Sequence, residues 1–139
     1  MSSAFAITVR VYLEDTDAQG VVYNASYFRF MERARTESLR AKGIDHDRFL
    51  RDYNASFVLA RIEARFVIPS RLSDMLSVEA NIAEIKGARI VFDQRIRRIG
   101  DETAGNALIC EGRAEVACMD ASTSRPRRFP QELMGRWLQ

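Results

Sequence analysis

The chain has 139 residues, 47% of them apolar and 29% charged, with a formal net charge of +2. That is enough to bury the core of one domain and too little for two, and so small a charge excess singles out no partner class. No stretch reaches the roughly 18 apolar residues that a membrane span needs, and "MSSAFAITVRVYLE" lacks the cationic start and apolar core of a secretion signal. The expectation is a single domain over 1–139 in the cytoplasm, with no membrane insertion.

Residues 6–14 alternate, with Ile7, Val9, Val11 and Leu13 against Thr8, Arg10, Tyr12 and Glu14, which predicts a half-buried strand. From Ala25 to Lys42 the period lengthens: Tyr27, Phe30, Met31, Ala34, Ser38 and Ala41 share one helical face. Gly43 stops that helix, and "DHDRFLRDY" reads as a short polar one. The small residues in the second half of the long helix let its backbone approach something broad and concave.

Beyond it, four segments alternate with period two. Val58, Ala60, Ile62, Ala64 and Phe66 are followed by Val78, Ala80 and Ile82, then Ile90, Phe92 and Ile96, then Leu108 to Cys118 at every second position. "IKGAR" around Gly87 and "IGDETAGN" around Gly100 and Gly105 supply hairpin turns. The expected fold class is α+β: one long helix laid across a curved five-stranded antiparallel sheet with a wet outer face, and a helical turn or two in "PQELMGRWLQ".

Cys110 and Cys118 fall on one strand, about 26 Å apart at 3.3 Å per residue, so they are expected as buried thiols and not a disulfide. His46, the only histidine, has no second ligand near it, so no metal is expected.

The junction between the first strand and the long helix carries the chemistry. In "EDTDAQGVVYNASY", Asp15 and Asp17 precede the helix by too many residues to cap it, a task that falls to Asn24. A buried loop that holds a carboxylate beside a helix N-terminus is a workable catalytic arrangement. The helix supplies unpaired N–H groups to polarise a carbonyl, and the acid attacks that carbonyl or activates water against it.

The run "VYLEDTDAQGVVYNASYFRFMERARTESLRAKG" resembles the signature of the 4-hydroxybenzoyl-CoA thioesterase branch of the hotdog-fold thioesterases, especially its YbgC-type acyl-CoA thioesterases associated with the Tol-Pal system. The resemblance extends to strand order and length. It implies a helix wrapped by the sheet and hydrolysis of an acyl-CoA to free acid and CoA without a cofactor. Asp17 is implied as the catalytic carboxylate, with the backbone N–H of Asn24 polarising the thioester carbonyl and Tyr23 at the substrate. It further implies a homodimer or homotetramer with its active site at the subunit interface, and an acyl carrier protein as a possible alternative carrier. Two positions depart: Leu13 stands where a tyrosine is common and Asn24 where a histidine is, although the N–H at 24 survives any side chain.

Other charged residues fit less well. Glu32 sits among Arg29, Arg33 and Arg35, and Glu37 near Arg33 and Arg40, so both are expected in exposed ion pairs. Asp15 is expected to fix the loop through backbone hydrogen bonds. Arg125, Arg127 and Arg128 in "SRPRRFP", with Lys86 and Arg89 at the neighbouring hairpin, suit the phosphates of CoA and are too few, without interleaved aromatics, for nucleic acid. The alternative function is a non-catalytic acyl-CoA or acyl-carrier binding or scaffold subunit of the same fold.

Overall fold

The computed structural model describes residues 4–100 and 106–137, so the turn expected at Gly105 lies outside the described residues. In chain order the elements are β1 (Ala6–Arg10), α1 (Asn24–Ala41), α2 (His46–Tyr53), β2 (Ala55–Phe66), β3 (Met75–Glu79), β4 (Asn81–Lys86), β5 (Arg89–Arg98), β6 (Leu108–Asp120) and α3 (Gln131–Trp137). They form one antiparallel sheet in the order β1-β3-β5-β6-β2, with β4 also paired to β5.

Five expected strands become six because the segment around Ala80 is broken. Val78 pairs with Ile96 and Asn81 with Asp93, so β3 and β4 run along β5 in one register, but between them the Ala80 N–H turns aside to the Phe5 carbonyl at 2.9 Å. Two expected strand faces also shift. β1 ends at Arg10, and Leu13–Asp15 form a 3-10 turn that leaves Leu13 exposed, because the Asp15 carboxylate accepts from the Tyr12 N–H at 2.8 Å and curls the chain. In β2 the register against β6 slips between Leu59 and Arg61. That bulge inverts the phase, so Ala55 and Phe57 pack inward before it and Ile62 and Ala64 after it, while Val58 and Ala60 face out.

The sheet curls around α1, whose residues Tyr27, Phe30, Met31, Ala34 and Ser38 are buried as expected, whereas Ala41 in the last turn is exposed. They meet Leu76 and Val78 of β3, Ile90, Phe92 and Ile96 of β5, and Cys110, Ala114 and Cys118 of β6 in a single core. The helix ends where Gly43 adopts a φ of 84°, a conformation only glycine takes freely, with the Ile44 N–H closing back on the Leu39 carbonyl at 3.0 Å. One helix held in a curved antiparallel sheet is the hotdog arrangement.

Arg35 and Gln94 form a polar pair inside this core. Gln94 falls between Phe92 and Ile96 on the inner face of β5. It accepts from Arg35 Nη1 at 2.8 Å and donates to the Met31 carbonyl at 3.0 Å, locking helix to sheet. Burial pulls the Arg35 guanidinium below its ordinary pKa, and the charge of Glu32 opposes that shift. The outer face is wet, with Arg65–Glu111 at 2.7 Å and Arg113–Asp93 at 2.9 Å between neighbouring strands.

Candidate active site

The segment from Val11 to Asn24 is built against the loop that joins β2 to β3. Val11 exchanges backbone hydrogen bonds with Asp74 and Ser73, the Val22 N–H donates to the Ser70 carbonyl at 2.9 Å, and Val21 bridges to Arg71. Within the segment, Thr16 bridges to Val22 and the Asp17 N–H donates to the Val21 carbonyl at 2.9 Å, so residues 16–22 form a tight hairpin. Gly20, at φ 79°, makes the reversal possible.

This hairpin places Asp17 and the start of α1 on one cleft of about 380 Å³. Asp17, Val22, Tyr23, Asn24 and Tyr27 line one side of it, and Phe66 to Pro69 the other. Asp17 Oδ1 accepts from the Gln19 N–H at 2.8 Å, which orients the carboxylate, and no described residue bonds Oδ2. The buried setting expected for this acid is not met within the protomer, where Asp17 is exposed; the buried acid is Asp15. Asp15 has the structural role expected of it: besides holding Tyr12, its carbonyl accepts from the Tyr23 N–H at 2.9 Å and from Ser26 Oγ at 3.1 Å.

Asn24 does not cap the helix. It is already the first helical residue, and Tyr23 occupies the cap position with extended backbone and no capping hydrogen bond from its side chain. Among the described residues nothing accepts from the Asn24 or Ala25 N–H, so the positive end of an 18-residue helix opens on the cleft. A carboxylate with one free oxygen beside unpaired amides, over an apolar floor, can act on a carbonyl carbon while the amides take up charge on its oxygen.

The basic residues gather elsewhere. The tail after β6 folds back on itself: the Asp120 N–H donates to the Arg125 carbonyl at 2.8 Å and the Phe129 N–H reaches the Gly87 carbonyl at 3.3 Å, setting Arg128 beside the Lys86–Arg89 turn. Lys86, Arg89, Arg125 and Arg128 are exposed there, Arg89 pairing with Glu115 at 3.2 Å. Arg127 departs from the expected phosphate group, because its Nη1 donates to the Tyr53 carbonyl at 2.6 Å and lies 3.6 Å from Asp120. This end of the sheet is eight residues of β6 from the Phe66 end that borders the cleft, since Cys118 pairs with Phe57 and Cys110 with Phe66, a contour of about 26 Å at 3.3 Å per residue.

The rival groups fall away from the cleft. Glu37 pairs with Arg40 at 3.3 Å. Glu32 is exposed and makes no ion pair with a described residue. His46 is an exposed first residue of α2 stacked on Phe57 at 5.1 Å. The cleft wall after Phe66 and the buried Ser70 were not anticipated. The one signal for them is Tyr27 itself, since a tyrosine on a buried helix face needs a partner for its hydroxyl.

A model of the thioesterase-like superfamily matches residues 11–137. The chain is 38% identical over 133 residues to the acyl-CoA thioesterase YbgC of Haemophilus influenzae, covering 96% of this chain and 93% of that one. It is 38% identical over 138 residues to the acyl-CoA thioester hydrolase YbgC of Escherichia coli, covering 99% and 98% respectively. The crystal structure of a probable thioesterase from Bartonella henselae superposes with a TM-score of 0.82 at 30% identity, over 92% of this chain and all of that one. The chain belongs to the thioesterase-like superfamily.

Proposed function

We propose that this protein, one hotdog domain, hydrolyses an acyl-CoA thioester to the free acid and CoA, and that the cleft at the N-terminus of α1 is where it does so. The observation that carries the reading is the juxtaposition of Asp17 and Asn24 on a single apolar cleft, in a chain whose full-length relatives are acyl-CoA thioester hydrolases. The acyl group lies against Phe66, Val67 and Ile68, and Tyr23 borders the entrance. The thioester carbonyl faces the Asn24 amide, whose partial positive charge grows in value as the oxygen becomes an oxyanion. Asp17 Oδ2 then adds to the carbonyl carbon and the C–S bond breaks to release the CoA thiolate, leaving a mixed anhydride that water hydrolyses to the free acid and the regenerated carboxylate; or Asp17 takes a proton from water, which adds to the carbonyl carbon as the C–S bond breaks and CoA leaves. Either route uses residues of this chain alone and needs no cofactor.

The working unit in this reading is at least a dimer. β2 is an edge strand whose outer side pairs with no described residue of the protomer, and Val58 and Leu59 on it are 43% and 46% exposed. Pairing two β2 edges about a two-fold axis covers these residues and sets the Ala55 end of one strand against the Phe66 end of the other. That brings the partner's basic hairpin alongside the cleft, where the Lys86, Arg89, Arg125 and Arg128 of one subunit meet the phosphates of a CoA bound by the other. A partner also shields Asp17, which the protomer leaves open. Thiol release across a panel of short, long and aromatic acyl-CoAs tests the activity; acyl-CoA binding without thiol release from any of them would favour a binding subunit.

A further inference from the structure

Tyr27 lines the cleft with its ring and is 2% exposed, yet it carries a hydroxyl that must find partners inside the protein. Both partners belong to one residue. Its Oη lies 2.9 Å from Ser70 Oγ and accepts from the Ser70 N–H at 3.2 Å. Ser70 is itself fully buried, and its carbonyl accepts from the Val22 N–H at 2.9 Å. A short chain of hydrogen bonds thus runs from the first turn of α1, through Ser70, to the residue two places before Asn24.

We infer that Tyr27 is a positioning residue for the reaction: through Ser70 it fixes the hairpin that carries Asp17 against the N-terminus of α1. This role rests on the hydrolase function proposed above and belongs to a residue set apart from both the carbonyl and the attacking carboxylate. Other ties between this hairpin and the β2–β3 loop are weaker or farther off. The Leu72 N–H reaches the Gly20 carbonyl only at 3.4 Å, and the bond from Ser73 to Val11 lies before the hairpin begins. Tyr27 also sets the cleft wall, since its ring meets that of Phe66 at 5.8 Å and that of Phe30 at 6.3 Å. Tyr27→Phe keeps these ring contacts and removes only the hydroxyl, leaving two groups of Ser70 without their partner and the loop free to shift.

Displacement of a reacting group by about 1 Å costs on the order of 100-fold in rate, because the attack geometry is lost while substrate contacts survive. Tyr27→Phe is therefore expected to lower kcat by about 10- to 100-fold with KM within about twofold. Ser70→Ala, which keeps the backbone bond to Tyr27, is expected to lose less, and the double variant to be no worse than Tyr27→Phe, since both remove one linkage. A second readout is independent of turnover: hydrogen exchange of the Val22 amide, followed by NMR, should speed up by about tenfold or more in Tyr27→Phe. Parent-like kcat in Tyr27→Phe, additive losses in the double variant, or unchanged protection of Val22 would each overturn the inference. If the parent released no thiol, the hydrolase reading would be what failed, and unchanged Val22 exchange would still overturn the linkage itself.

Discussion

Arg127 donates to the backbone carbonyl of Tyr53 at 2.6 Å, which ties the tail that follows β6 to the end of α2. Its neighbour Arg128 is exposed beside the Lys86–Arg89 turn. Adjacent arginines therefore stand in different surroundings, and alanine substitutions should separate the structural Arg127 from Arg128, which is proposed to meet phosphate. Arg127→Ala should cost about 1–2 kcal/mol of stability through the lost charge-assisted bond, with the same fractional change in activity on any substrate. Arg128→Ala should leave the melting temperature unchanged and raise KM for acyl-CoA at constant kcat, because a phosphate contact is equally strong in ground and transition states. A truncated thioester without the nucleotide should be hydrolysed equally by Arg128→Ala and the parent.

The two cysteines give a prediction that also validates a thiol-release assay. Cys110 and Cys118 are buried on β6, and burial pushes the Cys110 thiol up to about 11, with the charge of Glu111 acting in the same direction. The native protein should be inert to an aromatic disulfide reagent at neutral pH and release two equivalents of chromophore only after unfolding. A thiol pKa raised in the folded state favours folding below the ordinary thiol range and loses that contribution as pH climbs. Stability should decline from about pH 9 towards pH 11, and Cys110→Ser should flatten the decline.

The edge of β2 predicts the assembly. Light scattering at micromolar concentration should give at least twice the 15.9 kDa of one chain. Leu59→Lys sets a charge in the unpaired edge and should release monomers with little activity.

Gly112 tests how closely β2 and β6 approach. A Cβ built there would lie 2.5 Å from the Glu63 carbonyl oxygen, a backbone atom that cannot swing away. Gly112→Ala should destabilise the protein by about 1–3 kcal/mol in a denaturant melt, although the residue is neither in a turn nor in the core.

Much of the fold was readable because its signals are local. The period of α1, the glycine after it and the alternation in β5 and β6 each depend on side chains facing one environment. Where the sequence misled, a local departure of the backbone from the ladder was the cause. The Asp15 carboxylate curls the chain after Tyr12, the Ala80 N–H leaves the ladder for Phe5, and the bulge near Ala60 inverts β2. At the site, Asp17 and Asn24 were legible as a motif, whereas Ser70 was not. Its role comes from contacts with Val22 and Tyr27, which are 48 and 43 residues away in sequence, and an isolated serine in "IPSRL" carries no trace of either.

Substitution of Asp17 by asparagine probes the central claim most directly, with Glu32→Gln and Glu37→Gln as controls for the helix-borne acids. The change keeps the size of the side chain and an oxygen for the Gln19 N–H, while removing the charge that the proposed reaction requires to attack the carbonyl or draw a proton from water. Thiol release from the preferred acyl-CoA should fall by about 10²- to 10⁴-fold in Asp17→Asn, with acyl-CoA still bound and the two glutamine variants close to the parent. Hydrolysis by Asp17→Asn at the parent's rate would contradict the assignment of this carboxylate and of the cleft around it.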